Sequence, residues 1–436
     1  MERVQNKSFN KFLIVWMGQL IASIGAGLTA FSLGVYAFEQ TNTATSVALV
    51  ALCSFLPNIL LRPIGGVLAD RFDRRLMMII GDLGAAAGLI FILLMMMLNG
   101  HISLWIIYVG VTVSAIFTAL QSPAYKASAT DLLTEEEYSK GSGLLQLAES
   151  AKLLFSPIIA GFLLSITTIS TILVINIATF LVAVLAVLVI KRGLQVATKE
   201  SASQSFVKEL AEGWQSVTSN KGVLLLVIII SIITFYLGFL QTLIGPMILS
   251  FADAQTLGMF QSVSAIGMLL GSIVIGLFKV TKQYVPMLII GLVIAGIAFS
   301  LHGVTTNMFF LTAAGFVFLT TLPFINMSCD VLVRRNIDNE KQGRVWGIIG
   351  ILSQLGFIIA YSLAGFLADH VFNPLLQEGG LFAPTLGQFI GTGPGRGIGL
   401  LFIIAGILVV VVAVITSRIK SIRELDTNQD AASHSM

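Results

Sequence analysis

The chain has 436 residues, 56% of them hydrophobic and only 11% charged, with a formal net charge of +3. Soluble domains average roughly 25% charged residues, so most of this polypeptide cannot face water, and so small a net charge gives no reason to expect nucleic acid as a partner. At about 20 apolar residues per crossing, a mean hydropathy of +0.93 leaves room for a series of membrane spans and little else.

The first long apolar run, Phe12–Phe38, follows Arg3, Lys7 and Lys11; it is too long for the core of a signal peptide and reads as a first span. Val47–Ala69 and Leu76–Leu98 come next, joined by a short loop that carries Arg71, Arg74 and Arg75, and Leu104–Leu120, Leu144–Ile166 and Thr171–Ile190 complete a first set of six. In the long connection from Lys191 to Gly222, Phe206, Leu210, Trp214 and Val217 recur at helical spacing while Lys208, Glu209 and Glu212 take other faces. This pattern predicts an amphipathic helix lying along the membrane surface. The second set of six is Val223–Phe251, Leu257–Phe278, Val285–Leu301, Met308–Val331, Val345–Ala368 and Ile398–Ile415. A Gly- and Pro-rich connection, Val371 to Gly397, separates the last two, and the polar tail after Arg423 is expected to be disordered.

With no water in the bilayer core, such segments must satisfy their backbones internally and are therefore helices. The expected architecture is an all-α membrane protein with twelve transmembrane helices in two pseudo-symmetric six-helix bundles. Residues 1–192 form the first bundle, 193–221 a linker with the amphipathic helix, 222–423 the second bundle and 424–436 the tail.

All but three of the 25 lysines and arginines fall on one side if the N-terminus and every second loop share that side; Arg396 lies opposite, and Arg62 and Lys152 lie within spans. The positive-inside rule then puts both termini in the cytoplasm. The halves also repeat: a single offset of 204 sets Glu136 on Glu340, Lys140 on Arg344 and Gly143 on Gly347, each pair just before a fifth span of its half. Weak internal symmetry of this kind accompanies duplicated transporter folds. Cys53 and Cys329 lie in separate apolar segments and read as small buried residues. His101, His302, His370 and His434 sit at loops, span ends or the tail, so no metal cluster and no cofactor are expected.

Between the second and third spans stands Gly65-Gly66-Val67-Leu68-Ala69-Asp70-Arg71-Phe72-Asp73-Arg74-Arg75. It resembles the signature loop of the major facilitator superfamily, G-x-L-A-D-R-x-G-R-K/R. Gly66, Leu68, Ala69, Asp70, Arg71, Arg74 and Arg75 match, and Asp73 replaces the usual glycine. The resemblance implies the major facilitator fold and a gating role for this loop. Asp70, at a span end, can accept hydrogen bonds from the open N-terminus of a neighbouring helix. In the family that neighbour is span eleven, here beginning near Gly343-Arg344-Val345. The other reading is that these charges only enforce orientation.

In span five, Ser156-Pro157-Ile158-Ile159-Ala160-Gly161 resembles a degenerate form of the G-P-x-x-G-G motif of the family's proton antiporters; it also reads as a kinked packing surface of small residues. Trp16-Met17-Gly18-Gln19 and Gly395-Arg396-Gly397-Ile398, with the signature loop, resemble the efflux branch that includes macrolide and siderophore exporters.

Ionisable groups inside a membrane are costly and are usually functional or paired. Arg62 sits eight residues before Asp70, roughly 12 Å deeper along the helix. Asp82 and Glu149 lie at comparable depth in spans three and five, Lys152 follows Glu149 by three residues, and Asp330 stands near the end of span ten. Depth allows an Arg62–Asp82 pair and a Glu149–Lys152 pair. Such groups either carry a coupled proton or form fixed salt bridges; the resemblance places span five beside a central cavity and span three at the periphery, which favours Glu149. It also places spans one, four, seven and ten around that cavity, where Gln19, Phe31, Gln121, Phe235, Gln241 and Asn326 become candidates for substrate contact.

The expected activity is proton-driven export of a hydrophobic or amphiphilic small molecule, such as a drug or antibiotic, by a monomer in a bacterial inner membrane. The alternatives are a dedicated exporter of a metabolite, siderophore or lipid-like molecule, and a non-transporting membrane sensor, for which the polar segments are too short to hold an output domain.

Overall fold

The computed structural model describes residues 8–99, 103–190, 206–277 and 283–427. Expected features at Arg3, Lys7, His101, residues 191–205, Phe278, Lys279, Lys282 and the tail from residue 428 lie outside these stretches. Twelve helices among the described residues are long and apolar enough to cross a membrane. In chain order they are α1 (Phe9–Thr41), α2 (Ala44–Arg71), α3 (Arg74–Asn99), α4 (Leu104–Leu132), α5 (Tyr138–Ile166), α6 (Ile169–Val189), α8 (Lys221–Leu249), α9 (Ala254–Leu277), α10 (Tyr284–Val304), α11 (Met308–Asn336), α12 (Asn339–Phe366) and α15 (Arg396–Arg418). Four shorter helices accompany them: α7 (Phe206–Ser219), α13 (Asn373–Leu376), α14 (Gly387–Ile390) and α16 (Lys420–Thr427).

Several spans outrun their apolar runs. Helix α4 continues to Leu132 and α11 to Asn336, and both are 29 residues long at an offset of 204. The same offset relates the residues that start the following helical segments, Thr134 and Asp338. At Thr134 the start is a capping box, with the backbone N–H of Thr134 donating to Glu137 Oε2 at 3.0 Å.

Contacts divide the chain into two compact units, Met1–Ser201 with Ala252–Ser262, and Ala202–Phe251 with Val263–Met436. In the first unit, helices meet where side chains are smallest. A Cβ on Gly65 of α2 would sit 2.7 Å from the Ala119 carbonyl oxygen of α4, and one on Gly18 of α1 would sit 2.7 Å from the Ala186 Cβ of α6. Lipid tails are as apolar as leucine, so packing of this closeness, not hydrophobic burial, holds spans together. Polar side chains add to it: Asn176 Nδ2 of α6 donates to Thr29 Oγ1 of α1 at 2.7 Å, and Ser156 Oγ of α5 donates to the Ile24 carbonyl of α1 at 3.0 Å.

In the second unit, Gly356 of α12 meets the Ser231 carbonyl of α8, and α10 and α15 touch backbone to backbone at Gly303 and Gly399. Tyr236, Phe318 and Phe402 surround Phe299 at ring separations of 5.1–5.6 Å. A helix, α7, forms over the expected amphipathic stretch, with Val217 buried and Trp214 half exposed. It is tied to the first turns of α12 by a 2.8 Å ion pair from Arg344 Nη1 to Glu212 Oε2.

The region after Arg423 departs from expectation. Helix α16 continues to Thr427, with Ile422 and Leu425 buried, and Asp426 Oδ2 accepts from the Val285 N–H at the start of α10 at 2.9 Å. Ile422 and Leu425, one turn apart, give this otherwise polar segment an apolar stripe that packs against the start of α8.

Gly303→Val should force α10 and α15 apart, because its Cβ would overlap the Gly399 carbonyl oxygen. Overpacking of this kind costs about 1–3 kcal/mol, and thermal unfolding of the purified protein should begin several degrees lower. Gly276→Ala, where no atom lies within 4 Å of the added carbon, should leave the unfolding temperature unchanged or slightly higher.

Candidate functional site

The loop between α2 and α3 is built around charge. Asp73, standing where the family motif has glycine, caps α3: its Oδ1 accepts from the backbone N–H of Arg75 at 2.8 Å and of Leu76 at 3.4 Å. A side-chain acceptor at a helix start explains the departure, since it satisfies amide groups that the helix leaves open. Arg74 turns inward, 7% exposed, and ties three helices together. Its Nη1 donates to Asp131 Oδ1 at 2.8 Å and to the Ala127 carbonyl at 3.1 Å, and its Nε donates to the Ala69 carbonyl at 3.2 Å. Arg75 Nη2 reaches the Leu188 carbonyl at 3.0 Å, placing a cation on the C-terminal end of α6.

The remaining motif residues face outward. The Asp70 side chain is 76% exposed, with Arg74 Nη2 at 3.8 Å. Arg71 is exposed, and nothing lies within 4 Å of a Cβ built on Gly66. Arg344, expected at the gate partner's start, is engaged with Glu212. Arg74→Met should therefore leave the Asp131 carboxylate without its closest cation, and loss of one partner from a buried pair costs about 3–5 kcal/mol. Thermal unfolding should register that loss, whereas Arg71→Met, on the exposed face, should unfold like the parent protein.

Deeper in the same unit, three polar side chains form a chain across three helices. Asp82 of α3 is 4% exposed, and its Oδ2 accepts from Gln19 Nε2 of α1 at 2.8 Å. Gln19 Oε1 in turn accepts from Gln121 Nε2 of α4 at 2.9 Å. Gly81 makes the room: a Cβ there would overlap the Gln121 side chain. The sequence marks Asp82 as a coupling candidate and both glutamines as cavity candidates, and the fold joins them into one network. Asp82 has no ion pair among the described residues; Arg62, its expected partner, is exposed.

The other intramembrane charges are more open. Glu149 is exposed and Lys152 half buried, and no salt bridge joins them. The Tyr125 hydroxyl of α4 is buried without a hydrogen bond, within electrostatic reach of Glu149. Asp330 pairs with Arg334 on the same helix at 2.8 Å, both side chains well exposed. Such surface pairs contribute little energy.

Span five carries its motif as a packing surface. Ser156, Pro157, Ala160 and Gly161 are all buried, Ile158 N–H donates to Ser262 Oγ at 3.2 Å, and Gly161 stands 2.6 Å from the Ala254 carbonyl oxygen if given a Cβ. Phe31 is half buried beside Leu28 and Ala160. In the second unit Gln241 of α8 accepts from the Tyr361 hydroxyl of α12 at 2.7 Å, a partner that the sequence does not single out. Phe235 is half buried against Phe239, ring centroids 5.0 Å apart, and Asn326 is exposed. No group of three or more His, Cys, Asp or Glu positioned to hold a metal occurs among the described residues.

This geometry has known relatives. Macrolide efflux protein A of Streptococcus pyogenes is 24% identical over 431 residues, covering 98% of this chain and all of that protein. The protein of the same name from Enterococcus faecalis is 25% identical over 71% of this chain and 97% of its own length. An uncharacterized MFS-type transporter of Bacillus subtilis, YfiS, is 24% identical over 97% and 96%. Among solved structures, the nucleoside transporter NupG superposes with a TM-score of 0.72 at 15% identity, over 94% of this chain and all of that one. A bacterial homolog of the human lysosomal transporter Spinster does so with a TM-score of 0.67 at 13% identity, over 96% of each. At such identities the superpositions establish the fold alone. The family model of the Major Facilitator Superfamily matches residues 15–361, so the chain belongs to that superfamily and is a multi-pass membrane transporter, not an enzyme.

Proposed function

We propose that the protein is a proton-coupled exporter of hydrophobic or amphiphilic small molecules, macrolide antibiotics among them, working by alternating access. Both termini face the cytoplasm of a bacterial cell, as the distribution of lysine and arginine supports. The substrate class is supported by macrolide efflux relatives that align along nearly the full chain. Proton coupling is supported by one observation above all, the buried Asp82 carboxyl whose hydrogen-bonding partner among the described residues is the neutral amide of Gln19.

The chemistry of that chain suits coupling. A carboxyl group among neutral partners carries its charge at a cost that depends on whether water reaches it. When it holds a proton it becomes a donor as well as an acceptor. Gln19 can then invert its amide, presenting Oε1 to Asp82 and Nε2 to Gln121, and Gln121 inverts in response. Proton uptake on α3 thereby changes which amide edges α1 and α4 offer to a substrate. Glu149, which is exposed and has Lys152 one turn away, is the second candidate. Asp70, exposed at the end of α2, is the residue to which the gating role is assigned.

Macrolide uptake into inside-out vesicles under an imposed proton gradient tests this reading. Asp82→Asn should abolish gradient-driven uptake while exchange of labelled for unlabelled macrolide continues. Retention of driven uptake by Asp82→Asn, with loss in Glu149→Gln, would transfer the role to Glu149. Wild-type vesicles indifferent to collapse of the gradient would end the proton reading. For orientation, single cysteines replacing Asn307 and Asn339, in a chain with Cys53 and Cys329 changed to serine, should react with an impermeant reagent in intact cells at Asn307 only.

A further inference from the structure

Two arginines are buried among the described residues, Arg74 at 7% exposed and Arg396 at 5%. A guanidinium keeps its charge inside a protein and carries several N–H donors, so each of them needs acceptors and a counter-charge. Arg74 has both, in the carbonyls of Ala69 and Ala127 and the Asp131 carboxylate at 2.8 Å. Arg396 has the carbonyls alone. Its Nη2 donates to the Gly303 carbonyl at 3.0 Å and reaches that of Val304 at 3.5 Å, both at the end of α10.

The rest of the Arg396 head group is unused. Nε and Nη1 are both buried, and neither has a hydrogen-bond partner. No carboxylate pairs with it among the described residues. The acids nearest to it along the chain, Glu378 and Asp369, form no such pair, and Glu378 is exposed. A buried charge is tolerated when an opposite charge and further hydrogen bonds meet it, and here the chain supplies only part of the second.

The connection leading into Arg396 leaves an approach to it. Gly391 is exposed, and a Cβ built there would stand 3.3 Å from Arg396 Nε, with no other residue but its chain neighbours within 4 Å. Gly391, Gly393 and Gly395 all have positive φ, at 88°, 104° and 76°, so three of these five positions carry no side chain that could cover the guanidinium. Arg396 also opens the 23-residue α15, and the start of a helix favours an anion.

We propose that Arg396 is the base of a binding site for a small inorganic anion of chloride size, held by its Nε–H and Nη1–H groups and entered past Gly391. The ion does for Arg396 what Asp131 does for Arg74. Because it is exchangeable, the junction of α10 and α15 depends on the anion in the medium. Both nitrogens are buried, which excludes a bulky organic anion such as gluconate.

Binding of radiolabelled chloride to the purified full-length protein, in gluconate buffer of constant ionic strength, tests the site. The wild type should bind chloride saturably, and bromide should compete. Arg396→Met should abolish binding, and Arg418→Met, at the exposed far end of the same helix, should bind like the wild type. Since Arg396→Met also strips α10 of its cap, Arg396→Lys is the second variant: it keeps the charge with fewer donors and should bind about tenfold more weakly. Thermal unfolding of the wild type should begin several degrees higher in chloride than in gluconate, as ligand linkage requires. Absence of saturable binding, or identical unfolding of the wild type in the two salts, would overturn the proposal. So would wild-type affinity in either Arg396 variant that elutes as folded protein, or binding that appears only after Glu378→Gln, which would make that carboxylate the occupant.

Discussion

Hydrocarbon solvent removes the force that folds most proteins, and the architecture follows from what remains. Helices in lipid gain nothing by burying leucine against leucine, so they associate where backbones can touch and where a polar group would otherwise be stranded. Gly65 against Ala119, Gly18 against Ala186 and Gly303 against Gly399 supply the contacts of the first kind. The bonds from Asn176 to Thr29 and from Ser156 to Ile24 supply those of the second. Buried polar residues in the spans are therefore few; some, such as Asn176, Ser156 and Gln121, join neighbouring helices, and others, such as Thr242 and Ser328, return their hydroxyls to their own helix.

Against that background Asp131 and Asp82, two of the acids of the first unit, behave differently. Asp131 lies under a guanidinium that also reaches two carbonyls, an arrangement that holds α2, α3 and α4 in one relation. A carboxylate so held is structural, because moving it would strand Arg74 as well. Asp82 has neutral amides in the same place that Asp131 has a cation. Amides can reverse without any helix moving, which is what the coupling role proposed for Asp82 requires. The difference between a rigid corner and an adjustable one is the difference between arginine and glutamine.

Much of the fold was legible in the chain. Long apolar runs, only a few of them broken by a charge, mark all twelve spans because a crossing needs about 20 such residues, and the amphipathic spacing of Phe206, Trp214 and Val217 marks α7. Span ends were less legible: α4 carries on past Leu120 and α12 begins before Val345, because polar helical turns continue outside the apolar run. So does α16, where two apolar residues suffice to dock a short helix that composition reads as tail. Within the site, the sequence singled out Gln19, Asp82 and Gln121 but not their union. Depth along a helix can be counted from residue numbers, whereas the face a residue presents depends on how neighbours are rotated. Pairing by depth alone therefore suggested Arg62 for Asp82, where rotation selects Gln19. Tyr361 and Asp131 carry no signal of their own, since each becomes notable only through a partner more than 50 residues away.

The duplication explains where function can reside. Shared features, such as the 29-residue α4 and α11 and the matched helix starts at Thr134 and Asp338, are those that any half needs in order to fold. The halves diverge in their polar links. The first joins α1, α3 and α4 through a chain that ends on an ionisable group, and the second joins α8 and α12 through Gln241 and Tyr361, a neutral pair. They diverge again at Arg344, which occupies the position of Lys140 in the repeat and has acquired Glu212 of α7 as a partner. Helix α7 comes from the connection that duplication leaves between the halves, so it has no counterpart in the first. Symmetry sets the frame, and the Asp82 chain and the Arg344–Glu212 pair both lie where the symmetry is broken.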